Sequence, residues 1–231
     1  MIGIDFDNSS KHMKYFIDTE FIEGFHKPWL GKRRHYIDLI SIGIVREDGG
    51  SYHAISSEYD YNSADQWVRE NVIAPLYQQF VHGDARNRLA VHNFHKVLGS
   101  PLSVIKEQVL DCFGCWRDVL FWRAPLIPPE IYGYYADYDW VLFCSLFGRM
   151  LNLPKGFPVY CRDLKQMEDE TADKINPALW GKPDAMTLEQ KIDLLKSHSA
   201  YPKQSNEHNA LDDAKWNKRL FEYLNGTKFA L

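Results

Sequence analysis

Apolar residues are packed densely along the first quarter of the chain and recur at helical spacing further on. Residues 15–20 (Tyr15-Phe16-Ile17-Asp18-Thr19-Glu20) and 37–45 (Ile37-Asp38-Leu39-Ile40-Ser41-Ile42-Gly43-Ile44-Val45) are rich in β-branched and aromatic residues and predict two strands, with a third at 51–56. Asp48-Gly49-Gly50 is a hairpin signal, so the second and third strands are expected to lie antiparallel. Ser63 is placed as a helix cap, because Trp67, Val68, Val72 and Leu76 follow at helical spacing. A polar stretch around 82–88 precedes a helix opened by Ser100-Pro101, with Val104, Ile105, Val109 and Leu110 on its apolar face.

Pro125, Pro128 and Pro129 interrupt the chain before a strand at 131–135. A helix over 139–151 follows, then a break at Pro154 and Gly156, then a short strand at 159–161. Residues 169–203 read as loop-rich with one helix at 188–196, and the last helix covers 209–224. Strands first, then helices alternating with further strands, predict an α/β domain: a mixed central β-sheet flanked by α-helices.

With 231 residues, 45% hydrophobic and 25% charged, the chain has material for one sizeable core. Residues up to about His12 are polar and without pattern, so a single domain is expected over 14–231, with 1–13 an N-terminal extension. No apolar run approaches the ~20 residues of a membrane helix, and no signal-peptide pattern opens the chain. Cys112, Cys115, Cys144 and Cys161 are too scattered for a disulfide framework and read as reduced thiols, which points to the cytoplasm. A net charge of −4 argues against holding nucleic acid on a broad basic surface. It leaves room for a nuclease whose acids are neutralised by bound cations.

Candidate chemistry begins with Asp18 and Glu20, which lie two residues apart in a strand and therefore share a face. Carboxylates gathered away from water either take up protons or bind metal, and hard oxygen donors suit Mg²⁺ or Mn²⁺ rather than zinc. On the last helix, Ala210, Ala214, Phe221 and Leu224 form a stripe that includes Asn217. Asp213 lies beside this stripe, whereas Asp212 falls on the polar side. His208 just precedes that helix, where a loop or cap position lets it move toward substrate. Asp139 completes the set, within Tyr138-Asp139-Trp140. Cys112 and Cys115 have metal-ligand spacing but no second pair, and His92 and His95 read as structural or exposed. Glu107, Asp111 and Glu168-Asp169-Glu170 read as helix-surface charges, and Asp163 as a helix cap.

Asp18-Thr19-Glu20, Tyr138-Asp139 and His208 followed by Asp213 resemble the three motifs of the DEDDh branch of 3′→5′ exonucleases. Residues 15–23, 37–45 and 67–72 further resemble the RNase AS type, a polyadenylate-specific 3′-exoribonuclease, and its phage relatives. The resemblance implies an RNase H-like fold in which Asp18, Glu20, Asp139 and Asp213 hold two Mg²⁺ or Mn²⁺ ions. It implies His208 as general base, since imidazole exchanges protons near neutral pH. The implied substrate is single-stranded RNA, shortened from its 3′ end to nucleoside 5′-monophosphates, and the implied assembly is a homodimer. Single-stranded DNA as substrate, or an inactive nucleic-acid-binding module, are the alternatives. Phe21 and Trp67 are the candidate base-stacking rings, and Lys32, Arg33 and Arg34 the candidate phosphate contacts. Two features depart from the family pattern: an insertion at 25–35, and Tyr135 where an Asn often stands, with Asp137 as a rival ligand to Asp139.

Overall fold

The computed structural model describes residues 12–26, 31–117, 122–183 and 185–226. The expected extension, apart from its last two residues, and positions 27–30 of the insertion lie outside them.

Three strands, β1 (Met13–His26), β2 (Arg34–Arg46) and β3 (Ser51–Ile55), form an antiparallel meander, with Gly49 at φ +95° in the β2–β3 turn. A separate two-residue ladder joins β4 (Trp116–Arg117) to β5 (Trp122–Arg123). The chain then returns to the sheet through β6 (Pro129–Gly133), parallel to β1, and β7 (Arg162–Asp163), parallel to β6. The sheet order is β3-β2-β1-β6-β7, a mixed sheet flanked by helices and consistent with an RNase H-like exonuclease. The last strand falls just beyond the expected 159–161: Val159 and Tyr160 are exposed, and the ladder begins only where Arg162 meets Tyr132.

Helical segments α1 (Gln66–Val68), a π turn (Arg69–Ile73) and α2 (Ala74–Val81) run on without a break. Pro75 has no amide to donate to Asn71, which removes one bond of the regular ladder, and Ala74 N–H reaches back to Arg69 O instead. The cap is Asp65, whose carboxylate accepts from Val68 N–H at 2.8 Å. Ser63 belongs to a 3₁₀ turn capped by Asp60. Helix α3 (Arg88–Leu98) lies where no helix is expected, although Asn87 caps it and Val91, Phe94 and His95 form its buried stripe. Helix α4 (Leu102–Cys112) starts near the expected place by another device. Glu58 accepts from Leu102 N–H at 2.8 Å, while Ser100 bridges to Ser56.

Helix α5 (Asp137–Ser145) is shorter than 139–151, with Gly148 at φ +83° before a 3₁₀ turn. Helix α6 (Leu164–Asp173) follows the Asp163 cap and runs into the stretch from 169 that reads as loop-rich, α7 (Leu188–Lys196) has the expected bounds, and α8 is Ala210–Gly226. No helix among the described residues is long and apolar enough to cross a membrane.

Alternation along β1 divides the core. Tyr15 and Ile17 pack with Ile105, Val109 and Phe143 of α4 and α5, whereas Phe16 packs with Leu164, Leu195 and Leu220 of α6, α7 and α8. Asp18 follows Phe16 at a spacing of two and so faces α8. Gly43 lies opposite Asp18, and a Cβ there would come within 2.1 Å of Ala210 O. The first turn of α8 therefore rests directly on β2, which is what brings the third motif to the first.

Candidate active site

β6 pairs with β1 only as far as Phe16, leaving the next stretch of β1 without a strand on that side. Side chains fill the place. Asn217 Nδ2 donates to Ile17 O at 2.9 Å, and Asp139 Oδ1 accepts from Thr19 N–H at 2.9 Å and from Thr19 Oγ1 at 2.5 Å. Strand ending, α5 and α8 are thus tied together at the level of the acids.

One oxygen each of Asp18, Glu20 and Asp213 lies within 4.8 Å of the other two. Asp139 stands beside them with one oxygen committed to Thr19. Their proton affinities report mutual repulsion. Burial and then Asp139, Glu20 and Asp213 push the Asp18 carboxyl well above the usual carboxylate range. Burial, Asp213 and Asp139 push Glu20 up to about 8. Burial takes Asp139 to about 7, against the pull of its Thr19 hydrogen bonds. Asp213 is also raised by burial, moderated by the groups that donate to it. Asp18, Glu20 and Asp139 titrate together rather than singly.

Asp213 Oδ2 accepts from the backbone amides of His208 at 2.9 Å and Asn209 at 3.2 Å, and its Oδ1 accepts from Gln204 Nε2 at 2.7 Å. The carboxylate therefore organises the turn that presents the histidine. His208 sits in the left-handed region at φ +67°, and its ring meets Trp67 edge-on, with centroids 4.8 Å apart. Asn209 Nδ2 donates to Gln79 Oε1 at 2.6 Å, so the helical run 66–81 and the histidine turn are joined twice, once through α1 and once through α2.

The acids and His208 line one open cleft of about 710 Å³, whose walls are Phe21, Phe25, Trp67, Tyr134, Tyr135 and Tyr138. Hard oxygen donors at the floor and ring faces on the walls are the chemistry of a site for a phosphate-linked, base-bearing chain. Residues 13–225 match the family described as the 3′-5′ exoribonuclease Rv2179c-like domain. The chain belongs to that family.

Two curated relatives, both from Mycobacterium tuberculosis, agree with it. The 3′-5′ exoribonuclease Rv2179c of strain ATCC 25618 / H37Rv is 32% identical over 169 residues, covering 71% of this chain and 80% of the relative. The 3′-5′ exoribonuclease MT2234.1 of strain CDC 1551 / Oshkosh matches to the same extent.

In this family member the five residues singled out from the motifs, Asp18, Glu20, Asp139, His208 and Asp213, all reach one cleft. Asp137 is exposed, as is Tyr135, which adopts φ +54°. Phe21 lines the cleft and packs on Tyr138 at 5.4 Å, and Trp67 is 52% exposed rather than part of the core. Lys32, Arg33 and Arg34 are exposed, and none of them lines the cleft. Arg33 nonetheless stacks over the ring of Phe25, 4.4 Å from its centroid, at the cleft mouth.

Asp163 caps α6, accepting from Lys165 N–H at 2.6 Å, and also accepts from Ala136 N–H at 3.1 Å. Glu168 corrects the surface reading: it is fully buried and accepts from Tyr134 Oη at 3.1 Å and Tyr201 Oη at 2.5 Å. Lys165 Nζ at 3.4 Å and Lys196 Nζ at 3.8 Å compensate its charge. Sequence reasoning missed Thr19, Gln204 and Tyr134 as parts of the site. Gln204 sits in irregular chain where no periodicity marks it.

Proposed function

We propose that this protein is a divalent-metal-dependent 3′→5′ exoribonuclease of the DEDDh type, akin to RNase AS, acting on single-stranded RNA. The convergence of Asp18, Glu20 and Asp213 within 4.8 Å supports this reading most directly. Carboxylates that close, with proton affinities raised by burial and by one another, fit Mg²⁺ or Mn²⁺, and Asp18, Glu20, Asp139 and Asp213 are the residues that would hold two such ions. When bound, the metal supplies a water that ionises near neutral pH and neutralises charge at the leaving 3′-oxygen.

The chain's own groups do the rest. His208 takes the proton of the attacking water, and its place at a turn outside regular helix allows it to approach the phosphate. Phe21 and Trp67 offer faces to the terminal bases, and Gln204 and the amides of His208 and Asn209 orient Asp213. The product is a nucleoside 5′-monophosphate.

Matched 5′-labelled RNA and DNA oligomers incubated with Mg²⁺, Mn²⁺ or EDTA test the reading. RNA should shorten stepwise from its 3′ end with either cation and stay intact in EDTA. DNA cut in preference to RNA would make the enzyme an exodeoxyribonuclease, and no cleavage with any cation would leave a binding module. Substituting His208→Ala should leave folding and Mn²⁺ binding intact while lowering kcat by ~10²–10⁴. A wild-type rate in that variant would remove the imidazole from the chemistry.

The acid cluster also predicts a pH dependence. Folded Glu20 and Asp139 keep their protons up to about pH 8 and about pH 7, whereas in the unfolded chain such groups release them near pH 4. Without cation, the cluster's contribution to stability therefore falls as pH rises through that window. Melting curves in EDTA and in Mn²⁺ should differ more at pH 8.5 than at pH 5.5. Equal cation-induced shifts at both pH values would separate the acids from metal binding.

A further inference from the structure

The helical segment 66–81 has a second occupied side. Asp65, Trp67, Val68 and Val72 face the acid cleft, whereas Gln66, Arg69, Glu70 and Ala74 form one wall of a groove of about 940 Å³ whose other wall is α3 and the chain before it. Among the described residues three guanidinium groups, Arg69, Arg86 and Arg88, line this groove with His92 and Tyr61, against the single acid Glu70. In a chain of net charge −4 that is a local reversal of sign.

These groups are available for a ligand. Among the described residues Arg86 pairs with the neighbouring Asp84 alone, and its side chain is 91% exposed, so that pair contributes little. Arg88 has no acidic partner among the described residues. Arg69 Nη2 donates to Asn62 O at 2.8 Å, but its Nε is buried with no acceptor. The Arg69 guanidinium lies 5.0 Å from the centroid of the Tyr61 ring, and Tyr61 meets His92 edge-on at 4.8 Å. The N-terminus of α3 opens at the same place and adds partial positive charge.

We propose that this groove holds the sugar-phosphate backbone of single-stranded RNA on the 5′ side of the nucleotide seated at the acids. The inference rests on the exoribonuclease reading. An enzyme that works from a 3′ end must lead the remaining strand out of the cleft across an adjoining surface, and the segment 66–81 is a wall common to both depressions. Planar guanidiniums beside ring faces match a ligand in which phosphates alternate with bases. An acidic peptide would use the charges and leave the rings idle.

The experiment compares wild type with an Arg86→Ala/Arg88→Ala variant, both substitutions lying outside the acid cleft. Binding of a 5′-fluorescein RNA 16-mer is followed by anisotropy in EDTA over a salt series, and hydrolysis of an RNA dinucleotide is followed separately in Mn²⁺. The variant should bind the 16-mer about tenfold more weakly, with a salt slope shallower by ~0.7 for each phosphate that is no longer neutralised. Its kcat/KM on the dinucleotide should match wild type. Unchanged affinity and slope would overturn the groove assignment, as would competition by oligo-glutamate equal to that of unlabelled RNA. Binding is read without cation, so failure of wild type to cut any RNA would count against the nuclease reading alone and leave the groove comparison decisive.

Discussion

An Asp18→Asn variant is expected to lose RNA hydrolysis by about three orders of magnitude or more and, in EDTA at pH 8, to melt at a higher temperature than the parent. The two effects have one cause. Asp18 is buried and lies among Glu20, Asp139 and Asp213; burial first, and then these acids, raise its proton affinity, so the ionised form is both desolvated and repelled by its neighbours. Asn keeps the shape and removes the charge. For a chain of this length, each kcal/mol of repulsion relieved should raise Tm by roughly 2–4 °C. With the charge goes a ligand oxygen of the kind hard cations require. Thermal melts in EDTA and in Mn²⁺, beside a hydrolysis assay, read both halves. A variant that melts lower than the parent in EDTA at pH 8 would show that the acids do not repel one another as described.

Gly43→Ala should also damage turnover, although residue 43 is not among those lining the cleft. The added methyl would meet Ala210 O at 2.1 Å, Ala210 C at 2.3 Å and Leu211 N at 2.5 Å, all of them backbone atoms that no rotamer change can clear. Either β2 or the start of α8 must move, and α8 carries Asp213 with the His208 turn attached to it. Misplacement of about 1 Å in such an arrangement costs on the order of 10²-fold in rate. Overpacking of this kind also lowers stability by roughly 1–3 kcal/mol. Measured kcat and Tm should therefore fall together. Wild-type values for both would mean that α8 approaches the sheet less closely than the structure places it.

The sheet and three of the four acids are legible in the sequence because each rests on a local period, whereas Asp139 is marked only by its resemblance to a family motif. Asp18 and Glu20 share a face by the two-residue repeat of a strand, and Asp213 lies beside the apolar stripe of a helix. The hairpin at Asp48-Gly49-Gly50 is likewise local chemistry. What escapes depends on contacts between distant parts of the chain. Nothing near Leu102 announces that Glu58 will receive its amide, and nothing near Gln204 announces Asp213. Glu168 reads as surface because it stands in an acidic run, yet two phenols and the Lys196 ammonium from elsewhere, with Lys165 one turn away on its own helix, make its burial tolerable. Helix α3 differs in kind: its Asn87 cap and its buried spacing are present in the sequence, but polar neighbours obscure them.

The place where β6 stops beside β1 carries a lesson for mutagenesis. Asp139 completes a main-chain hydrogen-bond ladder that the sheet itself leaves unfinished, so an alanine there strips a backbone amide of its acceptor as well as emptying the cleft of a charge. An asparagine retains the acceptor and changes only the charge. Truncation scans of this molecule consequently blur folding defects with chemical ones, and isosteric amides are the substitutions that keep the two apart.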